Sequence, residues 1–203
     1  FKNFDFKSVK WNPLSIKLGT YNDKIYGCGI ERRAGCLMYW NKSLFERENL
    51  PNLYDLQKSG EWTWDKMKEI AVKATKKNTE GKTTQYGLGG EFYPQYQFVY
   101  SNDASFVDFD TVTQPTFALN SQNGLDALQY IQDLKVDLGV WQPPTTGWDA
   151  AYNVFAQGNL AMCVGEYWVP GVYNFTEMTD EWGTVMFPKG PKADDYVSVI
   201  ADM

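Results

Sequence analysis

Histidine is absent from this 203-residue sequence. The Ser-His-Asp and Cys-His catalytic arrangements therefore cannot form in their usual versions, and neither can the common histidine-based zinc and iron sites. Cysteine is scarce, with three residues and no Cys-x-x-Cys pair, so a thiolate zinc site is not expected either. We expect neither a metal nor a cofactor, and we assign no catalytic residue.

The cysteines are Cys28, Cys36 and Cys163. Cys163 lies within an apolar run, which predicts a buried residue that behaves as a small hydrophobic side chain. Cys28 and Cys36 flank a short segment and could form a disulfide, but their spacing alone leaves open whether they do.

Long hydrophobic runs and an excess of positive charge are also lacking. No stretch approaches the ~18 apolar residues of a membrane-spanning helix. The 19 Lys and Arg residues against 25 Asp and Glu residues give a formal net charge of −6. An acidic protein repels phosphate backbones and anionic lipid surfaces, so we expect it to bind neither nucleic acid nor an anionic membrane.

Aromatic residues, in contrast, are abundant at 16% of the chain, within a hydrophobic content of 43%. A core can absorb many of them, and the excess favours a surface on which flat ligands stack. The length suits one large domain or two small ones. Because the sequence starts with Phe1 and stops within a strand-like pattern, we interpret it as a piece of a longer protein whose missing ends would carry any targeting signal.

Short apolar runs alternate with amphipathic helical patterns, and this order predicts an α/β fold. One helix is predicted to begin at the cap Thr63, with inward-facing residues Trp64, Met67, Ile70, Ala71 and Ala74. Another is predicted to begin at Asn120, with inward-facing residues Leu125, Leu128, Ile131, Leu134 and Leu138.

The run Leu160–Val164 predicts a buried strand, and after Gly165 it leads into Glu166, Tyr167 and Trp168. Ligands of open α/β sheets bind at the carboxyl ends of the strands. A tryptophan placed there presents a flat, rigid face with one polar group, which suits a sugar ring or another flat ligand. The alternative is a core tryptophan packed under the sheet.

Six short motifs follow one another along residues 21–191. They are YNDKIYG at 21–27, YWNKSLF at 39–45, WTWD at 62–65, QYG at 85–87, FAQGNLAM at 155–162, and WG with FPKGP at 182–191. The motifs and their order resemble those of family 1 of the extracellular solute-binding proteins of ABC transporters. Each motif alone is weak, and their common order carries the resemblance.

The resemblance implies two α/β lobes joined by crossover strands, with the ligand enclosed between the lobes by hinge closure. It implies that this chain is mainly the second lobe, a periplasmic-binding-protein-like (type II) lobe with a mixed sheet flanked by helices. Residues 1–35 would be the lead-in and first crossover, residues 36–191 the lobe, and residues 192–203 the start of the return crossover. The chain would then hold half of the cleft.

Ligand-binding residues also follow from the resemblance. Trp168 matches the aromatic residue that stacks on sugars in carbohydrate-binding members, and Glu166 and Tyr167 beside it could bind hydroxyl groups. An arginine pair matches the first crossover, an aromatic pair matches a cleft segment, and an Asn-Asp pair lies in the following loop. Solvated arginines, core aromatics and simple turn chemistry are the alternatives for these pairs. The pairs are Arg32 and Arg33, Phe92 and Tyr93, and Asn102 and Asp103.

The implied function is that of the extracellular component of an ABC importer, which captures a sugar or oligosaccharide and delivers it to a membrane permease. Such a protein would be a monomer, lipid-anchored to the outer face of the cytoplasmic membrane. One alternative is a carbohydrate-binding domain without a role in transport. Another is a secreted carbohydrate-active enzyme, for which Glu166 with Asp180, or Asp108 with Asp110, could supply two carboxylates.

Overall fold

A five-stranded mixed sheet lies at the centre of this computed structural model, which describes residues 5–8, 11, 13–28, 33–90, 96–108, 114–144, 147 and 149–201. Further short strands form two-stranded ribbons beside it. In chain order the described strands are β1 (Thr20–Tyr21), β2 (Lys24–Ile25), β3 (Arg33–Ala34), β4 (Leu37–Asn41), β5 (Lys76–Lys77), β6 (Thr83–Gly90), β7 (Val107–Asp108), β8 (Thr116–Phe117), β9 (Leu160–Gly165), β10 (Trp182–Val185) and β11 (Ile200–Ala201).

The strand order across the main sheet is β10, β4, β9, β6 and β5. β6 and β9 run parallel, while β4 runs antiparallel to β9. Gly90 pairs with Val164 across the parallel pair, and Leu37 pairs with Gly165 across the antiparallel pair. The carboxyl ends of β6 and β9 therefore meet the amino end of β4. We call this place, marked by Gly90, Gly165 and Leu37, the β6/β9 end of the sheet.

Helices cover both faces of the sheet, as the α/β prediction requires. A π-helical turn, Asp133–Asp137, continues α6, and a 3₁₀ turn, Phe175–Glu177, follows α8. The α-helices are α1 (Pro13–Leu18), α2 (Lys42–Arg47), α3 (Leu53–Ser59), α4 (Trp64–Ala74), α5 (Tyr96–Ser101), α6 (Gln122–Gln132), α7 (Ala150–Ala156) and α8 (Val169–Val172).

Two apolar cores lie on opposite faces of the sheet. Side chains alternate between the two faces of a strand. In β4, Met38 and Trp40 join the core that contains the buried face of α4. Tyr39 between them joins the second core, which contains Tyr152 and Phe155 of α7. The fold is thus a mixed sheet flanked by helices, which confirms the predicted class.

α4 follows its local sequence closely. The Thr63 side chain accepts the N–H of Lys66 at 3.3 Å and so caps the helix. The predicted inward face is confirmed, and its buried residues are Trp64, Met67, Ile70, Ala71 and Ala74.

α6 turns a different face inward from the one predicted. Leu125 is 48% exposed, Leu128 is 43% exposed and Leu138 is 41% exposed. The prediction that these three leucines face the core is therefore wrong, whereas Leu134 is fully buried as predicted.

Small residues explain the face that α6 buries. The helix begins after the cap Ser121, and its buried residues include Gly124, Ala127 and Tyr130. A Cβ on Gly124 would lie 2.3 Å from the carbonyl oxygen of Leu119, so only glycine allows this approach. The ring of Tyr130 then stacks on Trp64 at 4.4 Å between centroids.

No disulfide links Cys28, Cys36 or Cys163 in this structure, so Cys28 and Cys36 do not form the disulfide that their spacing left open. Cys28 is exposed. Cys163 is fully buried in β9, which confirms its prediction as a small hydrophobic side chain.

The inward face of α6 and of the π-helical turn that continues it can be tested by a pair of substitutions. Leu134→Ala is expected to lower the free energy of unfolding by about 2–5 kcal/mol, because it empties a fully buried position. Leu128→Ala, at a position that is 43% exposed, is expected to cost less than about 1 kcal/mol. Urea unfolding followed by circular dichroism measures both. Equal losses at the two positions would contradict the inward face described here.

Acid stability depends in part on Asp180, which accepts hydrogen bonds from Asn41 at 2.8 Å and from Arg47 at 3.1 Å. The hydrogen bonds from Arg47 and Asn41 and the charge of Arg47 lower the pKa of Asp180 against the opposing effect of burial. The stabilisation is therefore complete above the unfolded pKa of about 4 and is lost as the pH falls through the lower folded pKa. Arg47 is half exposed, so we expect only about 1 kcal/mol.

Asp180→Asn is expected to lower stability at pH 7 and to flatten the acid side of the stability profile. The measurement is the urea midpoint between pH 7 and pH 2. An unchanged slope below about pH 4 in the variant would show that Asp180 makes no such contribution.

Candidate functional site

Several segments of the chain leave or enter the sheet at the β6/β9 end. β6 ends at Gly90, β9 ends at Gly165, and β4 begins at Leu37. Trp141 forms a parallel bridge with Leu88, so the segment after Trp141 leaves in the same direction. Such a convergence of strand ends is where open α/β sheets hold their ligands.

Trp168 lies half-buried in the turn that follows β9. Its indole Nε1–H donates a hydrogen bond to Oε2 of Glu166 at 2.5 Å. Its ring packs edge to face against Tyr152 at 6.4 Å between centroids and at a tilt against Tyr173 at 6.2 Å. These contacts orient the indole ring, which packs against the second core and stays partly accessible.

The turn that carries Trp168 is tied to the sheet through the backbone of Glu166. The phenol of Tyr39 donates to the Glu166 carbonyl oxygen at 2.7 Å, and the N–H of Val169 donates to the same oxygen at 3.2 Å. Burial raises the pKa of the Tyr39 phenol, so Tyr39 stays protonated and remains a donor at neutral pH.

Gly165 allows aromatic rings to close over the end of β9. A Cβ on Gly165 would lie 3.0 Å from the ring of Tyr152 and 3.2 Å from both the ring of Tyr39 and the side chain of Val169. Any larger residue would push these groups apart. The glycine just before Glu166 is therefore needed for the packing that orients Trp168.

Glu166 places a carboxylate at this end of the sheet. Burial, and then the charge of Glu166, raise the pKa of the Cys36 thiol, so Cys36 stays neutral and supplies no thiolate nucleophile. The described side chains at the β6/β9 end thus offer an aromatic face and hydrogen-bond acceptors. This chemistry suits the binding of a ring with hydroxyl groups.

Of the predicted ligand residues, the structure brings Glu166, Tyr167 and Trp168 together in one turn. Arg33 contributes its backbone to β3, which pairs with β11 directly before the chain enters β4. The other predicted residues before α5, namely Arg32, Phe92 and Tyr93, lie outside the described residues. Ligand contact by any of these residues stays a prediction.

Asn102 and Asp103 follow the last residue of α5. Asn102 is fully buried, donates to the carbonyl oxygen of Asn123 at 2.8 Å and accepts the N–H of Lys192 at 3.2 Å. Asp103 is exposed, with a backbone φ of 51°. The described contacts give Asn102 a structural role, and a ligand contact by either residue stays a prediction.

Asp103 also lines an open depression of about 580 Å³ beside the start of α6. Phe117, which is 68% exposed, lines the same depression. This depression is built from the loop after α5 and from β8, whereas the Trp168 turn is built from β9. The predicted ligand residues therefore fall into at least two separate parts of the structure.

The residues that support the Trp168 turn were not predicted from the sequence. Tyr39 lies between two residues of the other core, and Tyr152 and Tyr173 flank Trp168 from α7 and from the residue after α8. The alternation within YWN at 39–41 is a signal that could have placed Tyr39 on the Trp168 side. No sequence pattern links Tyr152 to Trp168, because their contact is tertiary.

The carboxylate pair Glu166 and Asp180 cannot flank one glycosidic bond in this fold. Glu166 follows Gly165, which pairs with Leu37 at the amino end of β4. Asp180 binds Asn41, at the opposite end of β4. The second pair considered, Asp108 and Asp110, cannot be compared because Asp110 lies outside the described residues.

Within the described ranges, no group of three or more Asp, Glu or Cys side chains is positioned to hold a metal ion. The same part of the chain contains no helix with the length and apolarity that a membrane crossing requires.

Solved structures of solute-binding proteins share this fold. An ABC transporter solute-binding protein from Thermotoga lettingae bound with α-D-tagatose matches with a TM-score of 0.72 and 22% identity, over 98% of this chain and 49% of that chain. An ABC substrate-binding protein from Listeria monocytogenes in complex with cycloalternan matches with a TM-score of 0.71 and 20% identity, over 100% and 50%.

A maltose/maltodextrin-binding domain, MalE, from Bdellovibrio bacteriovorus bound to maltotriose matches with a TM-score of 0.69 and 20% identity, over 96% of this chain and 49% of that chain. The chain thus has the periplasmic-binding-protein-like fold and spans about half the length of these structures. No relative was found among curated protein sequences.

The sequence profile of one family covers almost the whole chain. The profile describes the bacterial extracellular solute-binding proteins and matches residues 7–202. The match includes every strand of the main sheet and the turn that carries Trp168. This chain belongs to the family of bacterial extracellular solute-binding proteins.

Proposed function

We propose that this chain forms one lobe of an extracellular solute-binding protein that captures a sugar or oligosaccharide in a cleft between two lobes. The observation that carries the proposal is Trp168, which Glu166, Tyr152 and Tyr173 hold half-buried, with part of its ring accessible, at the β6/β9 end. An oriented aromatic face stacks on the apolar face of a sugar ring without first losing side-chain freedom.

The charge at this end of the sheet supports a neutral ligand rich in hydroxyl groups. The Glu166 carboxylate has lone pairs beyond the one that accepts the Trp168 indole, and these can accept hydrogen bonds from hydroxyls. The same carboxylate, within a chain of net charge −6, repels phosphates and other anions. The sugars named in the complexes of the similar structures agree with this preference.

The proposed division of the chain assigns residues 1–35 to the lead-in and first crossover, residues 36–191 to the lobe, and residues 192–203 to the start of the return crossover. The pairing of β3 with β11 supports this division, because it brings the two crossovers side by side. A ligand that touches both lobes would favour the closed arrangement of the lobes.

In the proposed role, the protein acts as a monomer and delivers its ligand to the permease of an ABC importer. Lipid anchoring to the outer face of the cytoplasmic membrane belongs to the same proposal. Family membership and the similarity to ABC transporter solute-binding proteins support the proposed permease partner.

Trp168→Ala is expected to weaken saccharide binding at least about tenfold, since truncation of a tryptophan at the centre of a binding site costs about 2 kcal/mol or more. The measurement is calorimetric titration of the two-lobed protein, that is, the longer protein that contains this chain and the other proposed lobe. The ligand is the saccharide that gives the largest thermal shift in a screen of mono- and oligosaccharides. A ligand at about 100 times its dissociation constant adds about 2.7 kcal/mol of apparent stability, which such a screen detects.

Phe117→Ala is the control for this experiment, because Phe117 is an exposed aromatic residue on the depression beside Asp103. It is expected to bind saccharide as the unmodified protein does. Loss of binding in Phe117→Ala with full binding in Trp168→Ala would move the ligand site to that depression. If the unmodified protein cleaves the saccharide and Glu166→Gln abolishes this cleavage, the function would be catalysis and not binding.

The 203-residue chain alone is expected to bind the same saccharide only weakly, with a dissociation constant of about 1 mM. Half of a cleft supplies half of the contacts and leaves the ligand open to water. Titration of the isolated chain beside the two-lobed protein measures the difference. Micromolar binding by the isolated chain would show that this lobe holds the complete site.

A further inference from the structure

Gln97 is a fully buried polar residue on the second position of α5. Its side-chain amide makes hydrogen bonds to the backbone of one distant segment. Nε2 donates to the carbonyl oxygen of Val197 at 2.5 Å, and Oε1 accepts the N–H of Val199 at 2.9 Å. The side chain of Gln97 thus pairs with a backbone carbonyl and a backbone N–H, as a neighbouring β-strand would.

The segment that Gln97 holds leads directly into β11. It is also tied to the other side of the β3–β11 ribbon, because the hydroxyl of Ser198 donates to the carbonyl oxygen of Cys36 at 2.9 Å. The N–H of Gly35 donates to the carbonyl oxygen of Val199 at 2.8 Å. Residues on both strands of the ribbon are therefore anchored where they meet the lobe.

Gln97 contributes to the stability of this anchor through its buried amide. A buried glutamine is favourable only when its amide is paired, and here both of its partners belong to the segment before β11. Without Gln97, the carbonyl of Val197 and the N–H of Val199 would each lose a buried hydrogen-bond partner. The segment could then pair with water instead and move away from α5.

We propose that Gln97 is a positioning residue that clamps the return crossover to this lobe and confines hinge bending to the β3–β11 ribbon beyond Val199. The inference rests on the proposed function, in which β3 and β11 belong to the crossovers. With the clamp in place, the lobe and the first residues of the crossover move together. Without the clamp, the hinge extends into residues 197–199. Closure around a ligand must then restrict more backbone conformations, which costs conformational entropy.

The test compares Gln97→Met with Ser101→Ala in the two-lobed protein. Gln97→Met keeps the volume of the side chain but removes both hydrogen bonds. Ser101 is the matched control, because it is also buried on α5 and its hydroxyl binds the carbonyl oxygen of Phe98 and the indole of Trp64, away from the crossover. Gln97→Asn, which is one methylene too short to reach both backbone groups, serves if Gln97→Met does not fold.

Small-angle X-ray scattering without ligand is the first measurement. We expect Gln97→Met to broaden the distribution of interlobe distances. We expect Ser101→Ala to leave this distribution unchanged, although it loses about as much stability as Gln97→Met. Hydrogen exchange is expected to accelerate at the amides of Val199 and Gly35 in Gln97→Met only, because the hinge then includes residues 197–199 and the N–H of Gly35 donates to the Val199 carbonyl oxygen. Unchanged scattering and unchanged exchange at these amides would overturn the proposal.

Saccharide affinity is the second measurement. We expect a loss of about tenfold for Gln97→Met, since two hydrogen bonds that restrain the hinge are removed, and no loss for Ser101→Ala. Equal affinities in all three proteins would contradict the link between the clamp and closure. If the unmodified protein binds no saccharide, the proposed function fails, whereas the ligand-free scattering still decides the role of Gln97.

Discussion

The parallel pairing of β6 with β9 is the constraint on which the rest of this structure depends. Parallel neighbours cannot be joined by a tight turn, so the chain between Gly90 and Leu160 must cross over through α5, α6 and α7. The same pairing brings the carboxyl ends of both strands to one end of the sheet. The antiparallel strand β4 begins at that end, and the β3–β11 ribbon precedes it.

The proposed ligand-binding turn and the proposed hinge therefore lie in one small region. The turn at Glu166–Trp168 follows the last residue of β9, and that residue pairs with the first residue of β4. Only Gly35 and Cys36 separate β4 from β3. In the proposed function, a ligand bound at this turn would lie one strand pair away from the ribbon. This short distance is a consequence of strand register and requires no long pathway through the core.

The region around Trp168 combines fixed geometry with access. The indole is held through its N–H by Glu166 and by neighbouring aromatic rings, while the backbone of Glu166 is held by the phenol of Tyr39. A binding residue that is oriented before the ligand arrives costs less side-chain entropy on binding than a free one. Buried groups on the second face of the sheet thus hold the half-buried Trp168 in place.

Local sequence determined the elements that need only local chemistry. The cap at Thr63, the apolar spacing of α4 and the unbroken apolar run of β9 were sufficient to predict a helix face and a buried strand, and the order of short motifs identified the family. Only the tertiary structure decided which face of α6 is buried, because Tyr130 of α6 stacks on Trp64 of α4, a residue far away in the chain. It likewise decided that Trp168 stays half-buried, because burial depends on the shape of distant partners that local spacing does not encode.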